Sequence, residues 1–270
     1  MKKCNYVKEF EQTIYSFSRA RSTWEIFNDF LYLTAAALAS VVPVPEREER
    51  EQRYLAIINR YEKKEQELLV KLFVITVQAL EEDRRQDFMG TIYHSLNLQQ
   101  EQKGQFFTPY NISEMMAKIL IDEEMLLGGI KKKGYASISD PACGSGAMLI
   151  AFANAAGKLN IDYQKNVLFE AQDIDRTAGL MCFIQLSLLG CPAVIIIGDS
   201  LLKPGMHPDN DIWYSPLYYM NHWRFQKTVE VEAAEEPEKK NVQVLPNVRY
   251  TEDIGGQLVL CLEEKLRSAS

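Results

Sequence analysis

One nine-residue stretch limits the fold more than any other: Ser139-Asp140-Pro141-Ala142-Cys143-Gly144-Ser145-Gly146-Ala147. A short apolar approach, Tyr135 to Ser139, runs into an acid, a proline and two glycines. A helix-forming run, Ala147 to Ala156, follows at once. Glycine has no Cβ to hold the backbone away from a ligand. A helix start directly behind such a loop offers free N–H groups to a polar or anionic group. A glycine turn can also serve geometry alone, so the neighbouring segments decide how it is read.

Those segments alternate. Val167 to Ala171 is strand-like and precedes a helical run, Arg176 to Leu189, and Ala193 to Ile197 leads into the turn Gly198-Asp199. Short strands separated by helices of this length predict βαβ units and a parallel sheet. Ligands of such sheets collect at the carboxyl ends of the strands. Asp140, Asp173 and Asp199 each stand at a strand end and are predicted to line one edge. Three acids there suit a nucleoside better than a phosphate: a carboxylate can accept both ribose hydroxyls, and another can accept an adenine amino group. A Walker loop would place Lys then Ser or Thr after its last glycine, where this chain has Ala147-Met148, and the third glycine of a dinucleotide fingerprint is missing. Each acid alone reads better as an ordinary cap or turn residue. The three in register point to a ligand.

Upstream, Ser22 to about Leu96 reads as mostly helical. Ser22 can cap a run with Trp24, Phe27, Leu31 and Leu38 on one face, ending before Pro43 and Pro45. Glu46 to Leu80 keeps apolar residues at helical spacing within a charge-rich, solvated surface. Asp87 to Leu96 is a further short helix, and Gly90 within it marks a close packing contact. The polar run Asn97 to Gly104 divides the chain into a helical domain, 1–100, and an α/β domain, 101–270. Within the second, Asp211 to Tyr219 can hold a fourth strand, Val229 to Lys240 reads as an acidic loop, and Gln257 to Leu262 can form a last strand.

At 270 residues and 47% apolar content, the chain can bury a full core. Its net charge of −7 gives no global basic field, although DNA binding needs only a local basic surface. The five cysteines are scattered without a CxxC pair, so neither a disulfide framework nor a metal site is expected, and a cytoplasmic location is the natural reading. No apolar run is long enough to span a bilayer, and no signal-peptide core follows Met1.

Gly104-Gln105-Phe106-Phe107-Thr108-Pro109, followed by Asp140 to Gly146, resembles the first two signature motifs of N6-adenine DNA methyltransferases. The similarity is greatest to the modification subunits of type I restriction systems. Asp87 to Tyr93, Gln172-Asp173-Ile174-Asp175 and Ile197-Gly198-Asp199-Ser200-Leu201 extend it, in the family's order, over Asp87 to Leu202. The resemblance implies a Rossmann-like S-adenosylmethionine-dependent methyltransferase fold, a parallel-rich sheet flanked by helices with a helical domain in front. It implies S-adenosylmethionine as cofactor, DNA as substrate, a restriction–modification or mobile-element setting, and a separate specificity subunit as partner.

It also assigns roles. Phe107, Thr108 and Pro109 would contact the methionine end of the cofactor, with Gln105 and Phe106 beside them. Asp140, Ala142, Gly144, Ser145 and Gly146 would cradle it, Asp173 would hold the ribose, and Asp199 the adenine amino group. The family's catalytic motif is Asn-Pro-Pro followed by Tyr or Phe. A flipped adenine stacks on the aromatic ring while the Asn oxygen and first Pro carbonyl accept from its amine. Here Ser215, Pro216 and Tyr218 occupy the matching positions, and Leu217 replaces the second proline. Two other expectations stand beside this one: Tyr214, Tyr218, Tyr219 and Trp223 as core aromatics, and a cofactor-binding module of weak or absent activity acting in a complex.

Overall fold

The computed structural model describes residues 5–98, 107–226, 249–252 and 258–261. Residues 1–226 and 227–270 form two compact units. The first begins with five helices: α1 (Tyr6–Ile14), α2 (Thr23–Ala39), α3 (Arg47–Ile58), α4 (Lys63–Glu82) and α5 (Phe88–Ser95). Ser22 caps α2 as its sequence predicts, its hydroxyl accepting the Glu25 N–H at 3.1 Å. Such a cap satisfies a donor that the first turn leaves free.

Next come α6 (Tyr110–Leu120), α7 (Glu123–Lys133), β1 (Ala136–Asp140), α8 (Ala147–Lys158), α9 (Tyr163–Asn166), β2 (Val167–Asp173), α10 (Arg176–Leu188) and β3 (Ala193–Ile197). β4 (Asp211–Tyr214) and α11 (Pro216–Gln226) complete the unit. The sheet order is β1-β2-β3-β4. The first three strands are parallel, with Asp140 beside Ala171 and Asp173 beside Ile197. The predicted βαβ pattern is therefore present. β4 supplies the fourth strand and runs antiparallel to β3, with Asp211 beside Ile197 and Tyr214 beside Val194. A loop without a helix joins the two, and parallel return would need a longer crossover.

Alternation along the strands divides the sheet into two faces. Val167, Phe169, Ala171, Ala193 and Ile195 join a large core that also holds Phe10, Phe27, Phe30, Phe88, Phe183 and Trp213. Edge-to-face ring contacts link its helical part, with Phe10 and Phe30 centroids 5.4 Å apart and Phe10 and Phe88 at 6.1 Å. The helices of residues 6–95 and one face of the sheet thus share apolar packing across residue 100. Leu168, Val194 and Ile196 face the other way, against Ile212, Tyr214 and Tyr218. In the second unit, β5 (Arg249–Glu252) pairs antiparallel with β6 (Leu258–Cys261). Among the described residues no helix is long and apolar enough to cross a membrane.

A shared core predicts shared unfolding. Phe30→Ala should cost about 3–5 kcal/mol and shift the urea transitions read at tryptophan and by far-ultraviolet circular dichroism together. Two separated transitions, only one of them shifted, would contradict the shared packing.

Candidate functional site

The glycine loop is built by backbone needs. β1 ends at Asp140, whose Oδ1 accepts the Ala142 N–H at 3.1 Å. The Cys143 N–H then donates to the Gln172 carbonyl at 3.0 Å, laying the loop on the end of β2. Gly144 has φ +54°, and a Cβ there would lie 2.9 Å from Phe107 Cδ1. Gly146 has φ +94°, and a Cβ there would lie 2.8 Å from Cys182 Sγ. Both positions exclude a side chain twice, by conformation and by space. The Gly144 N–H donates to Asp173 Oδ2 at 2.9 Å, so the loop of β1 is tied to the acid at the end of β2.

Phe107 completes the wall. Its ring lies against Tyr93 and His94, at centroid distances of 5.1 and 5.5 Å. Thr108 is exposed, and Pro109 stands as the N-cap residue of α6. Gln105 and Phe106 lie outside the described residues.

Behind the loop is a polar brace that the motifs do not disclose. Asp87 is buried and caps α5, its Oδ1 accepting the Gly90 N–H at 2.9 Å. Its Oδ2 accepts the Ser145 hydroxyl. Gln185 of α10 donates at 2.8 Å to both Asp87 Oδ1 and the Ser145 carbonyl, while its Oε1 accepts the Met89 N–H at 3.1 Å. Ser145 therefore faces the brace. Gly90 is held small by this contact, since a Cβ there would meet Ser145 Oγ at 2.8 Å. The sequence signal for Gln185 is a lone amide in the apolar run Met181 to Leu186, where a buried amide must find partners.

Burial raises the Asp140 carboxyl above its ordinary range, and the Asp173 charge adds to this, against the Ala142 N–H. Burial likewise raises Asp173, and the Asp175 charge adds to it, against the N–H groups of Asp175 and Gly144. Asp199, after β3, accepts the N–H groups of Leu201 and Leu202 at 2.9 and 3.0 Å. Beside these acids stand apolar side chains facing solvent: Ile174 at 68% exposure, Leu201 at 91% and Leu202 at 80%. Cys143 is buried, and contact with Cys182 together with burial pushes its thiol up, which removes it as a nucleophile.

Ser215, Pro216 and Tyr218 sit elsewhere. Ser215 is fully buried beside Ala193, at the start of β3, while Asp199 follows its end. The length of β3 between them is roughly 13 Å. The Ser215 hydroxyl donates to the Cys191 carbonyl at 2.8 Å and accepts the N–H groups of Ala193 at 2.8 Å and Tyr218 at 3.2 Å. With Pro216 as the first helical residue, this is the chemistry of a helix start. Tyr218 stacks on Tyr214 at 5.1 Å and covers the second sheet face.

The structure thus brings Phe107, Asp140, Ala142, Gly144, Gly146 and Asp173 together, with Asp199 on the same sheet edge. Two half-buried acids, a close-approach loop and exposed apolar residues fit a ligand with a flat ring, a diol and a cationic part. Asp140→Asn keeps the acceptor for the Ala142 N–H and removes a disfavoured charge. A raised folded-state carboxyl supports the fold below the unfolded value, about 3.9, and that support is lost as pH rises through the folded value. The Asp140→Asn variant should therefore melt higher than the native protein at neutral pH, with the difference closing toward pH 3 in a thermal scan. A difference that grows toward acid would contradict the assignment.

A model of the N-6 DNA methylase family matches residues 84–253, more than half of the chain. The type I restriction enzyme MjaVIII methylase subunit of Methanocaldococcus jannaschii is 29% identical over 127 residues, covering 44% of this chain and 19% of that protein. The type I restriction enzyme MpnII methylase subunit of Mycoplasma pneumoniae is 33% identical over 85 residues, covering 32% and 14%. The matches span under a fifth of either relative. A crystal structure from Listeria monocytogenes, assigned to the class I S-adenosylmethionine-dependent methyltransferases, aligns over 82% of this chain and 68% of that one. Its identity is 17% and its TM-score 0.38. On the extent of the family match, which takes in α5, the glycine loop and all three strand-end acids, this chain belongs to the N-6 DNA methylase family.

Proposed function

We propose that this chain binds S-adenosylmethionine along the carboxyl edge of β1, β2 and β3 and serves transfer of its methyl group to N6 of adenine in DNA. The partner in this reading is a specificity subunit of the type I kind. The observation that carries it is the Gly144 N–H bonded to Asp173 Oδ2, which joins the close-approach loop to a strand-end carboxylate at a distance of 2.9 Å. When bound, the cofactor supplies an electrophilic methyl on a sulfonium. The chain's own residues hold and orient it: Gly144 and Gly146 let the backbone approach, Phe107 walls the methionine end, and Asp173 accepts from the ribose. Asp199 faces the adenine amine, with Ile174, Leu201 and Leu202 offering apolar surface to its ring. Free, buried cysteines at 143, 182 and 191 agree with a reducing compartment.

The hydrogen bonds of Ser215 favour a second reading, in which the chain holds the cofactor and does not itself transfer the methyl. Its hydroxyl is already engaged at the far end of β3.

Two measurements separate these readings. Asp173→Ala should weaken S-adenosylmethionine binding by about 1.5–3 kcal/mol in calorimetry, the range for a hydrogen bond to a charged group. Unchanged affinity would remove the cofactor assignment, and both readings with it. Incubation with methyl-labelled cofactor and mixed-sequence DNA should label the DNA at adenine N6. A protein that binds cofactor yet labels no DNA, with or without a specificity subunit, would leave the second reading.

A further inference from the structure

Three guanidinium groups meet beside β4 and the start of α10, near the strand ends that carry Asp173 and Asp199. Arg50 of α3 donates to Asp211 Oδ1 at 3.1 Å and to the Ile212 carbonyl at 2.7 Å, with its Cζ 4.0 Å from the centre of the Trp213 ring. Arg176, the first residue of α10, reaches Asp211 Oδ2 at 3.2 Å. Arg53 lies 4.3 Å over the Tyr32 ring, and Arg176 lies 5.5 Å from the same ring. Asp211 is the carboxylate that bridges this group, and both its oxygens are taken. Acids nearby include Glu46, whose charge acts on Tyr214 together with that of Arg50, Glu51, which lines the adjoining cleft with Arg47 and Arg50, Glu48 and Glu49 in the first turn of α3, and Asp175, the N-cap residue of α10.

Asp211 is thus shared between Arg50 and Arg176, and among the described residues Arg53 makes no ion pair of its own. Two further observations agree. The Arg176 Nε is buried and has no hydrogen-bond partner among the described residues. Burial lowers the affinity of Arg176 for its proton, and the Arg53 and Arg50 charges lower it further, against Asp211. Aromatic faces hold Arg53 and Arg176 in place, which reduces the ordering cost of gripping an anion.

We propose that Arg53 and Arg176, oriented by Tyr32 and supported by Arg50, form a phosphate-contact surface for the DNA backbone. Position selects this ligand. Asp211 pairs with Ile197, two residues before Asp199, and Arg176 follows Asp173 by three, so the cluster adjoins the carboxyl edge. S-adenosylmethionine carries its carboxylate at the methionine end, on the Phe107 side, and has no anion to offer here. The other substrate has a phosphate on every nucleotide. The inference rests on the proposed function and adds to it the residues that would grip the DNA.

The test uses the full chain and a fluorescein-labelled duplex of about 20 base pairs, enough for several phosphate contacts, in anisotropy titrations at several salt concentrations. Cofactor affinity is measured on the same samples. Arg53→Gln alters an exposed side chain that rests on the Tyr32 ring, so the fold should survive. It should weaken duplex binding several-fold and reduce the salt slope by about 0.9 for each phosphate it no longer neutralises, while cofactor affinity stays the same. Arg176→Gln should act in the same direction, and the double variant should bind more weakly than either. Native duplex affinity and slope in both single variants would overturn the proposal while leaving the cofactor reading intact. An unsubstituted chain that binds no duplex would overturn it together with the DNA part of that reading. Arginine-dependent duplex binding by a chain that binds no cofactor would uphold the surface and remove the cofactor reading.

Discussion

The buried carboxylate of Asp87 is the interaction on which the site depends. An unpaired carboxylate in that position would cost several kcal/mol. Asp87 instead accepts from the Gly90 N–H, the Ser145 hydroxyl and the Gln185 amide. These donors come from the start of α5, the glycine loop and the middle of α10. One side chain therefore fixes the helical layer, the loop and the crossover helix against one another. Because the network is fully bonded, it specifies one arrangement of the three elements. Gly90 follows from the same contact, since any side chain there would occupy the space of the brace.

The site is held from behind so that its front can be uncomfortable. Asp140 and Asp173 lie half-buried and close to one another, and both carboxyls are raised by burial. Backbone N–H groups offset part of that cost without neutralising the acids. Such strain is stored at functional sites and compensated elsewhere, here by the brace and by the apolar core linking Phe10 and Phe30 to Phe169 and Ile195. A ligand bringing hydroxyl donors and positive charge would relieve it. Exposed Ile174, Leu201 and Leu202 offer apolar surface on the same edge.

Much of this is legible in the residues. Alternating strands and helices mark β1, β2 and β3 to within two residues, because buried parallel strands are short apolar runs with glycine or acid at their ends. The acids fall on one edge because parallel strands share a direction. Gly90 reads as a close contact because a helix tolerates glycine poorly. Asp211 to Tyr219 can be marked as holding a strand, but local pattern is silent on whether that strand runs parallel or antiparallel, which the connection from β3 decides. It is equally silent on Ser215: Ser-Pro is both the variant of a family motif and an ordinary helix start, and only the antiparallel pairing of β4 shows that its hydroxyl lies beside Ala193. Gln185 and Arg50 escape the sequence reading for a related reason. Each acts on partners 98 and 161 residues away in sequence, and no local spacing records such distances.

The central claim is that the cofactor lies across the carboxyl edge of the parallel strands. A crystal structure of the chain with S-adenosylmethionine bound tests it most directly. The ribose hydroxyls should lie within hydrogen-bond distance of the Asp173 carboxylate, the adenine should rest against Ile174 and the Leu201-Leu202 turn, and the sulfonium should lie over Gly144 beside Phe107. A cofactor bound at the other end of β3, near Ser215 and Tyr218, would contradict the account.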